Sequence, residues 1–175
     1  GSAVTRFKEG DKVFFYNGGI GDEPGCYAEY TTVHEEYCAA CPSNIGLQDC
    51  AGLPLVLITA WEALVARANL QAGQTILVHG GTGGVGHIAL QLANHLGARV
   101  AVTVSDDKKE GLAQGLEAEK IVRYKEMDFV VDVVDWTKDK GVDVVLDTVG
   151  GETFLRSFNA ARIGKILGDA GDAAG

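Results

Sequence analysis

The fold of this chain is decided by one stretch, Ile76-Leu77-Val78-His79-Gly80-Gly81-Thr82-Gly83-Gly84-Val85-Gly86. The apolar run at its start is typical of a buried strand, and the apolar side chains of residues 84–96 recur on one helical face. Between them, Gly81, Gly83 and Gly86 match the spacing G-x-G-x-x-G. Such glycines allow a tight turn, a close approach of backbone to phosphate, and packing of helix on strand. The stretch therefore predicts a strand, a phosphate-binding turn and a helix in succession.

The sequence around this stretch alternates between short apolar runs and amphipathic segments. The predicted strands are 75–79, 99–104, 121–124, 142–147 and 165–167, and the predicted helices are 58–69, 84–96, 106–116, 129–138 and 152–161. This alternation predicts an α/β fold, a Rossmann-type doubly wound parallel sheet. We assign it to residues 54–175.

The first 53 residues differ from the rest in composition. All three prolines, Pro24, Pro42 and Pro54, lie at or before the proposed boundary. Strand-forming side chains predict strands at 12–16 and 25–33. We expect Tyr27 and Tyr30 to pack rather than to take part in chemistry. Residues 1–53 are therefore predicted to form a separate β segment.

Composition excludes several classes of function. The chain has 175 residues, 46% hydrophobic and 22% charged, with a net charge of −9. Nucleic-acid and anionic-membrane binding would require clustered Lys and Arg, so neither partner is expected. No apolar run reaches the roughly 18 residues that a membrane span needs. A folded cytoplasmic protein is expected.

Four cysteines, Cys26, Cys38, Cys41 and Cys50, raise the question of a metal or redox site. Cys38 and Cys41 form a C-x-x-C pair, but a tetrahedral zinc site needs four placed ligands and no second pair follows. We therefore expect no metal and interpret the cysteines as free thiols, which favours the cytosol.

The glycine-rich turn is predicted to bind the pyrophosphate of a dinucleotide. Backbone N–H groups and the helix dipole would face the phosphates. The alternative is a turn that binds nothing, but the flanking strand and helix favour the cofactor. The predicted contacts in this turn are Gly80, Gly81, Gly83, Gly84, Val85 and Gly86.

The residues that follow the second and third strands favour NADPH. An NAD site usually has Asp or Glu at the end of the second strand to hold the ribose, where this chain has Val104. Ser105 can contact a 2′-phosphate and Lys109 can neutralise it. Arg123 and Tyr124 end the third strand and are expected nearby.

Residues next to these leave NAD open as the alternative cofactor. Asp106 and Asp107 could hold the ribose of NAD instead. Lys108 and Lys109 could also be solvated surface, as is usual for lysine in the first turn of a helix. His79 is interpreted as a structural histidine, and Asp147 fits a turn role as well as a ligand role.

The chain resembles the medium-chain dehydrogenase/reductase superfamily, in particular its zinc-independent, NADPH-dependent quinone oxidoreductase (zeta-crystallin-like) branch. The matching stretches are FKEGDKV at 7–13, GCYAEY at 25–30, LPLVLITAW at 53–61, the glycine-rich region at 78–86, and GVDVVLD with two further glycines at 141–151. The resemblance implies that residues 1–53 are part of a GroES-like catalytic domain. It also implies that the chain is an interior fragment, lacking about a quarter at each end.

The resemblance further implies roles for individual residues. Ser105, Lys109 and Tyr124 would hold the 2′-phosphate, and Thr59, Thr148 and Val149 would lie near the nicotinamide. Hydride would pass to a quinone or an α,β-unsaturated carbonyl, and the longer protein could be a homodimer. No catalytic side chain is assigned.

Two departures and two alternatives accompany this resemblance. Leu55 stands where zinc-dependent relatives have a cysteine ligand, and Glu117 replaces a glycine usual after the second helix, which predicts strain there. One alternative is an enoyl reductase module of a polyketide or fatty-acid system. The other is a non-catalytic dinucleotide-binding protein of the crystallin kind.

Overall fold

The computed structural model describes residues 1–18 and 25–169, and Pro24 lies outside these ranges. The chain divides into two units, Gly1–Leu55 and Val56–Gly175. The assignment of the first unit to a GroES-like domain stays a prediction.

The first unit is built on a two-stranded antiparallel ribbon. Strand β1 (Val13–Phe15) pairs with β2 (Cys38–Ala40), which follows a 3₁₀ turn at Glu35–Tyr37. The predicted strand at 25–33 is wrong, because these residues form bends and irregular backbone. Strand-forming side chains stabilise a strand only against a paired neighbour. The expected packing of Tyr27 and Tyr30 is also wrong, since both are fully exposed.

The expectation of four free thiols is wrong for two of them. Cys41 and Cys50 form a disulfide with their Cα atoms 6.5 Å apart, while Cys26 and Cys38 are free. Helix α1 (Leu47–Ala51) packs against β1, and this places the fully buried Cys50 beside the end of the ribbon. The separation of nine residues between Cys41 and Cys50 does not by itself predict that α1 packs back against the ribbon.

A longer helix than expected leads into the second unit. Helix α2 (Leu53–Trp61) continues as a π-helical turn at Glu62–Arg67. The predicted start at residue 58 is too late, because Pro54 lies in the first turn, where its missing N–H breaks no hydrogen bond. Trp61 is more than half exposed.

The second unit is a five-stranded parallel sheet flanked by helices, as predicted. Its strands are β3 (Thr75–Val78), β4 (Arg99–Val104), β5 (Lys120–Arg123), β6 (Val142–Asp147) and β7 (Ala161–Asp169), in the spatial order β5-β4-β3-β6-β7. Its helices are α3 (Gly84–His95), α4 (Asp107–Gly115), α5 (Phe129–Trp136) and α6 (Glu152–Ala160). Within the described ranges, no helix is long and apolar enough to cross a membrane.

Alternate side chains of the central strand enter two separate cores. Ile76 and Val78 belong to the core that contains Leu90 of α3, whereas Leu77 belongs to the core that contains Phe129 of α5. Because α3 leads to β4 on one side of β3 and β6 lies on the other, the strand order reverses at β3. Ligands of such sheets bind in the crevice at the carboxyl ends of the strands at this point.

The strain expected at Glu117 is present. Glu117 has a φ of 63°, in the left-handed region, and Asn94 Nδ2 donates to its carbonyl oxygen at 3.2 Å and to that of Leu116 at 3.0 Å. A side chain in this conformation costs roughly 1–2 kcal/mol. The two hydrogen bonds offset part of that cost.

Candidate functional site

A cavity of about 330 Å³ opens at the carboxyl ends of the central strands. It lies in the crevice that the sheet topology predicts for a ligand. Seven of the predicted cofactor contacts line it: Gly80, Gly83, Ser105, Lys109, Tyr124, Thr148 and Val149. The fold therefore brings together residues from the turn after β3 and from the ends of β4, β5 and β6.

The remaining predicted contacts do not line this cavity: Thr59, Gly81, Gly84, Val85 and Gly86. Two of the glycines are instead required by packing. A Cβ at Gly81 would lie 2.4 Å from Cβ of Val102, and a Cβ at Gly86 would lie 2.1 Å from the carbonyl oxygen of Gly80. The glycine spacing thus serves the packing of helix on strand as well as the turn.

The turn after β3 forms a cradle that side chains would fill. Gly80 has a φ of 65°, and a Cβ there would lie 2.9 Å from Oγ1 of Thr148. Gly83 donates its N–H to the carbonyl of Gly80 at 2.8 Å and caps α3. The N–H groups of the first turn of α3 have no acceptors within the helix, so this cradle fits a phosphate.

The end of β4 is organised by Asp106. Its Oδ1 accepts the N–H of Lys109 at 3.0 Å and caps α4, and its Oδ2 accepts the hydroxyl of Ser105 at 2.7 Å. The Ser105 hydroxyl and then the Lys109 N–H lower the pKa of the Asp106 carboxyl. Asp106 is therefore engaged within the protein, while Lys109 lines the cavity.

The Arg123 side chain forms ion pairs with three carboxylates. Its guanidinium pairs with Asp107 Oδ1 at 2.6 Å, with Glu110 Oε2 at 3.6 Å and with Glu126. Arg123 does not line the cavity, whereas the next residue, Tyr124, does.

His79 is a buried structural histidine, as predicted. Ser157 donates its hydroxyl to the carbonyl of Thr153 at 2.8 Å and accepts from His79 Nε2 at 2.9 Å. His79 Nδ1 then accepts from Thr103, 3.3 Å away, whose oxygen also accepts the Gly80 N–H at 3.1 Å. Burial lowers the pKa of His79 to about 4, against the opposing effect of the Asp147 charge. A neutral imidazole therefore ties α6 and β4 to the glycine turn.

Asp147 takes the turn role. Its Oδ1 accepts the N–H groups of Val149 at 2.7 Å and Gly150 at 2.9 Å, while its buried Oδ2 has no partner among the described residues. Thr148 donates its hydroxyl to the carbonyl of His79 at 2.8 Å. These bonds hold the end of β6 against the end of β3.

Sequence reasoning missed several residues that line the cavity, among them Thr103, Phe129, Thr153 and Arg156. Arg156 pairs with Asp128 at 2.6 Å, and its guanidinium lies 4.9 Å from the Phe129 ring centroid. A polar residue within a buried strand, Thr103, was an available signal. The lining residues of α5 and α6 carried no such signal in the sequence, because only the order of the strands in the sheet brings these helices to the cavity.

Comparison with known proteins identifies the family. Residues 84–166 match the family described as zinc-binding dehydrogenase. The fold superposes on an alcohol dehydrogenase superfamily protein from Novosphingobium aromaticivorans with a TM-score of 0.89 and 36% identity, over 95% of this chain and 49% of that one. The chain belongs to the medium-chain dehydrogenase/reductase superfamily.

Relatives within this superfamily include two kinds of reductase. A quinone oxidoreductase from Pseudomonas syringae pv. tomato DC3000 is 32% identical with a TM-score of 0.85, over 100% of this chain and 53% of that one. The CurK enoyl reductase is 33% identical with a TM-score of 0.73, over 78% and 41%. Highly reducing polyketide synthase dmxL2 of Cryptosporiopsis sp. is 38% identical over 91% of this chain, which spans 6% of that protein.

The superfamily confirms the coarser part of the cofactor prediction. Medium-chain dehydrogenases/reductases are oxidoreductases that bind a nicotinamide dinucleotide, as the name of one further neighbour, an NAD-dependent alcohol dehydrogenase, also indicates. Over residues 1–18 and 25–169, no three His, Cys, Asp or Glu side chains are grouped so that they could hold a metal ion.

Proposed function

We propose that this chain forms the cofactor-binding part of an NADPH-dependent enoyl reductase domain of a reducing polyketide synthase. The observation that carries the proposal is a cavity joining the glycine turn to Lys109 and Tyr124, in a chain 38% identical to a reducing polyketide synthase. The likeness to the CurK enoyl reductase supports the same class of reaction. Of the alternatives that the sequence left open, the enoyl reductase is therefore preferred.

The cavity wall supports NADPH over NAD. Val104 ends β4 in place of a carboxylate, and the two nearby aspartates are engaged, Asp106 as a helix cap and Asp107 with Arg123. Lys109 offers a cation on the cavity wall. A 2′-phosphate would form an ion pair with that cation, which an uncharged ribose hydroxyl could not.

The residues present fit the cofactor in three places. The glycine turn and the start of α3 would hold the pyrophosphate, and Thr148 with Val149 would lie beside the nicotinamide. Lys109 and Tyr124 would hold the 2′-phosphate together with Ser105, whose hydroxyl would exchange its bond to Asp106 for one to the phosphate. When bound, NADPH supplies a hydride. The contribution of this chain is to bind and orient, and the network from Ser157 through His79 to Gly80 keeps the turn in place.

Cofactor preference is tested by titrating the chain with NADPH and NADH, following nicotinamide fluorescence. We expect NADPH to bind more tightly than NADH. Lys109→Ala should weaken NADPH binding about tenfold, near the lower end of the roughly 1.5–3 kcal/mol that a hydrogen bond to a charged group contributes, because Lys109 is exposed. Lys108→Ala is the matched control, because Lys108 is adjacent but does not line the cavity. Tighter binding of NADH, or equal effects of the two variants on NADPH, would contradict the assignment.

The reaction class is tested with the protein that contains this chain. We expect an enoyl thioester of pantetheine to be reduced to the saturated thioester, with one NADPH oxidised for each double bond lost. The second candidate, a quinone reductase, is favoured by the Pseudomonas syringae relative and predicts reduction of benzoquinone to hydroquinone with no turnover of the thioester. Tight NADPH binding without turnover of either acceptor would favour the non-catalytic, crystallin-like alternative.

A further inference from the structure

One guanidinium lies among three carboxylates near the carboxyl ends of β4 and β5. Arg123 pairs with Asp107 and Glu110 of α4 and with Glu126 in the turn after β5. Its side chain is 33% exposed, and its Nε is buried without a partner among the described residues. The group therefore carries one positive charge against three negative ones.

This charged group is close in sequence to two of the residues assigned to the 2′-phosphate. Arg123 directly precedes Tyr124, and Asp107 lies two residues before Lys109 at the start of α4. The side chain of Asp107 is 82% exposed and that of Glu126 is 57% exposed, so both are held by the ion pair rather than by burial. Without Arg123, these carboxylates would lose the cation that neutralises them and fixes their side chains.

We propose that Arg123 is a specificity-determining residue for the 2′-phosphorylated cofactor, acting through the carboxylates of Asp107, Glu110 and Glu126. This rests on the proposed function, in which NADPH is the cofactor. Arg123 neutralises part of the negative charge beside the phosphate site, and it occupies Asp107, the residue that could otherwise accept hydrogen bonds from the ribose hydroxyls of NAD. Both effects favour NADPH over NADH.

The expected size of the effect follows from Coulomb's law. For an assumed separation of about 10 Å, removal of one unit charge near a doubly charged phosphate in water changes an affinity by roughly fourfold without salt screening, so the comparison is made at low ionic strength. NADH lacks the 2′-phosphate, so its affinity should change by less than about twofold. Because the charges are exposed, the effect on NADPH should shrink in 0.5 M salt, where the Debye length is about 4 Å.

The experiment compares the dissociation constants of NADPH and NADH for the wild-type chain and for Arg123→Gln, Arg123→Lys and Glu126→Gln. We expect Arg123→Gln to raise the NADPH constant about fourfold, Arg123→Lys to stay near wild type, and Glu126→Gln to lower it. Arg67→Gln is the matched control, since it breaks the exposed Arg67–Glu62 pair with the same change in net charge and Arg67 does not line the cavity.

The outcomes separate this inference from the proposed function. If the wild type prefers NADPH but Arg123→Gln and Glu126→Gln leave the NADPH/NADH ratio at the value of Arg67→Gln, the role of Arg123 is refuted and the cofactor assignment stands. If the wild type prefers NADH, the cofactor assignment fails and the role of Arg123 fails with it. Glu126→Gln keeps the test informative if Arg123→Gln does not fold, because it removes an exposed carboxylate and leaves the arginine in place.

Discussion

Replacement of Gly86 by alanine should destabilise the fold and damage the phosphate turn together. A Cβ at this position would lie 2.1 Å from the carbonyl oxygen of Gly80, 2.9 Å from its carbonyl carbon and 2.9 Å from Cα of Gly81. All three atoms are backbone, so no side chain can rotate away to relieve the clash. Helix α3 or the turn must move by about 1 Å to restore a normal contact distance.

The expected change in the free energy of unfolding is the difference between the cost of the clash and the gain in helix stability. Overpacking of a close contact costs roughly 1–3 kcal/mol, and rigid backbone places Gly86→Ala towards the upper end. Alanine within a helix recovers about 0.5–1 kcal/mol relative to glycine. We therefore expect a net loss of about 1–2 kcal/mol of unfolding free energy in urea denaturation. NADPH affinity should fall about tenfold, because N–H contacts to a charged group contribute roughly 1.5–3 kcal/mol.

Gly111→Ala is the matched control. Gly111 lies in α4, and a Cβ there would meet no heavy atom within 4 Å. This variant should gain about 0.5–1 kcal/mol and bind NADPH as the wild type does. If Gly86→Ala unfolded at the same urea concentration as Gly111→Ala, the packing role of the third glycine would be refuted.

Two further predictions concern protons and thiols. The pKa of His79 is about 6.5 in the unfolded chain and about 4 in the native protein, so the unfolded chain takes up a proton first as the pH falls. The free energy of unfolding should therefore rise by about 2 kcal/mol from pH 5 to pH 7 and level off above pH 7. Urea titrations at several pH values would test this, and a His79→Gln variant with an unchanged pH profile would contradict it. In denaturant without reductant, a thiol reagent should modify only Cys26 and Cys38, and four thiols should react after reduction of the Cys41–Cys50 bond; four reactive thiols before reduction would refute the disulfide.

Local patterns in the sequence predicted most of the second unit correctly. Apolar periodicity located the strands around the glycine turn, and the helix expected from residue 106 begins at Asp107, with Asp106 as its cap. These signals are local, because a cap or an amphipathic face involves residues within a few positions of each other. The first unit was predicted less well, since the strand expected at 25–33 required a partner that no local pattern could supply.

The sequence by itself determined where a phosphate could bind, because the tight turn, the glycines and the helix start all lie within Gly80–Gly86. Only the tertiary structure decided which side chains surround that turn. His79 and Ser157 are 78 positions apart, and Arg123 is 16 positions from Asp107, yet each pair lies within hydrogen-bonding distance. The strand order β5-β4-β3-β6-β7 and the crossing helices create these contacts. The order of the strands, and not their spacing along the chain, therefore decides which carboxylates are engaged and which cations line the cavity.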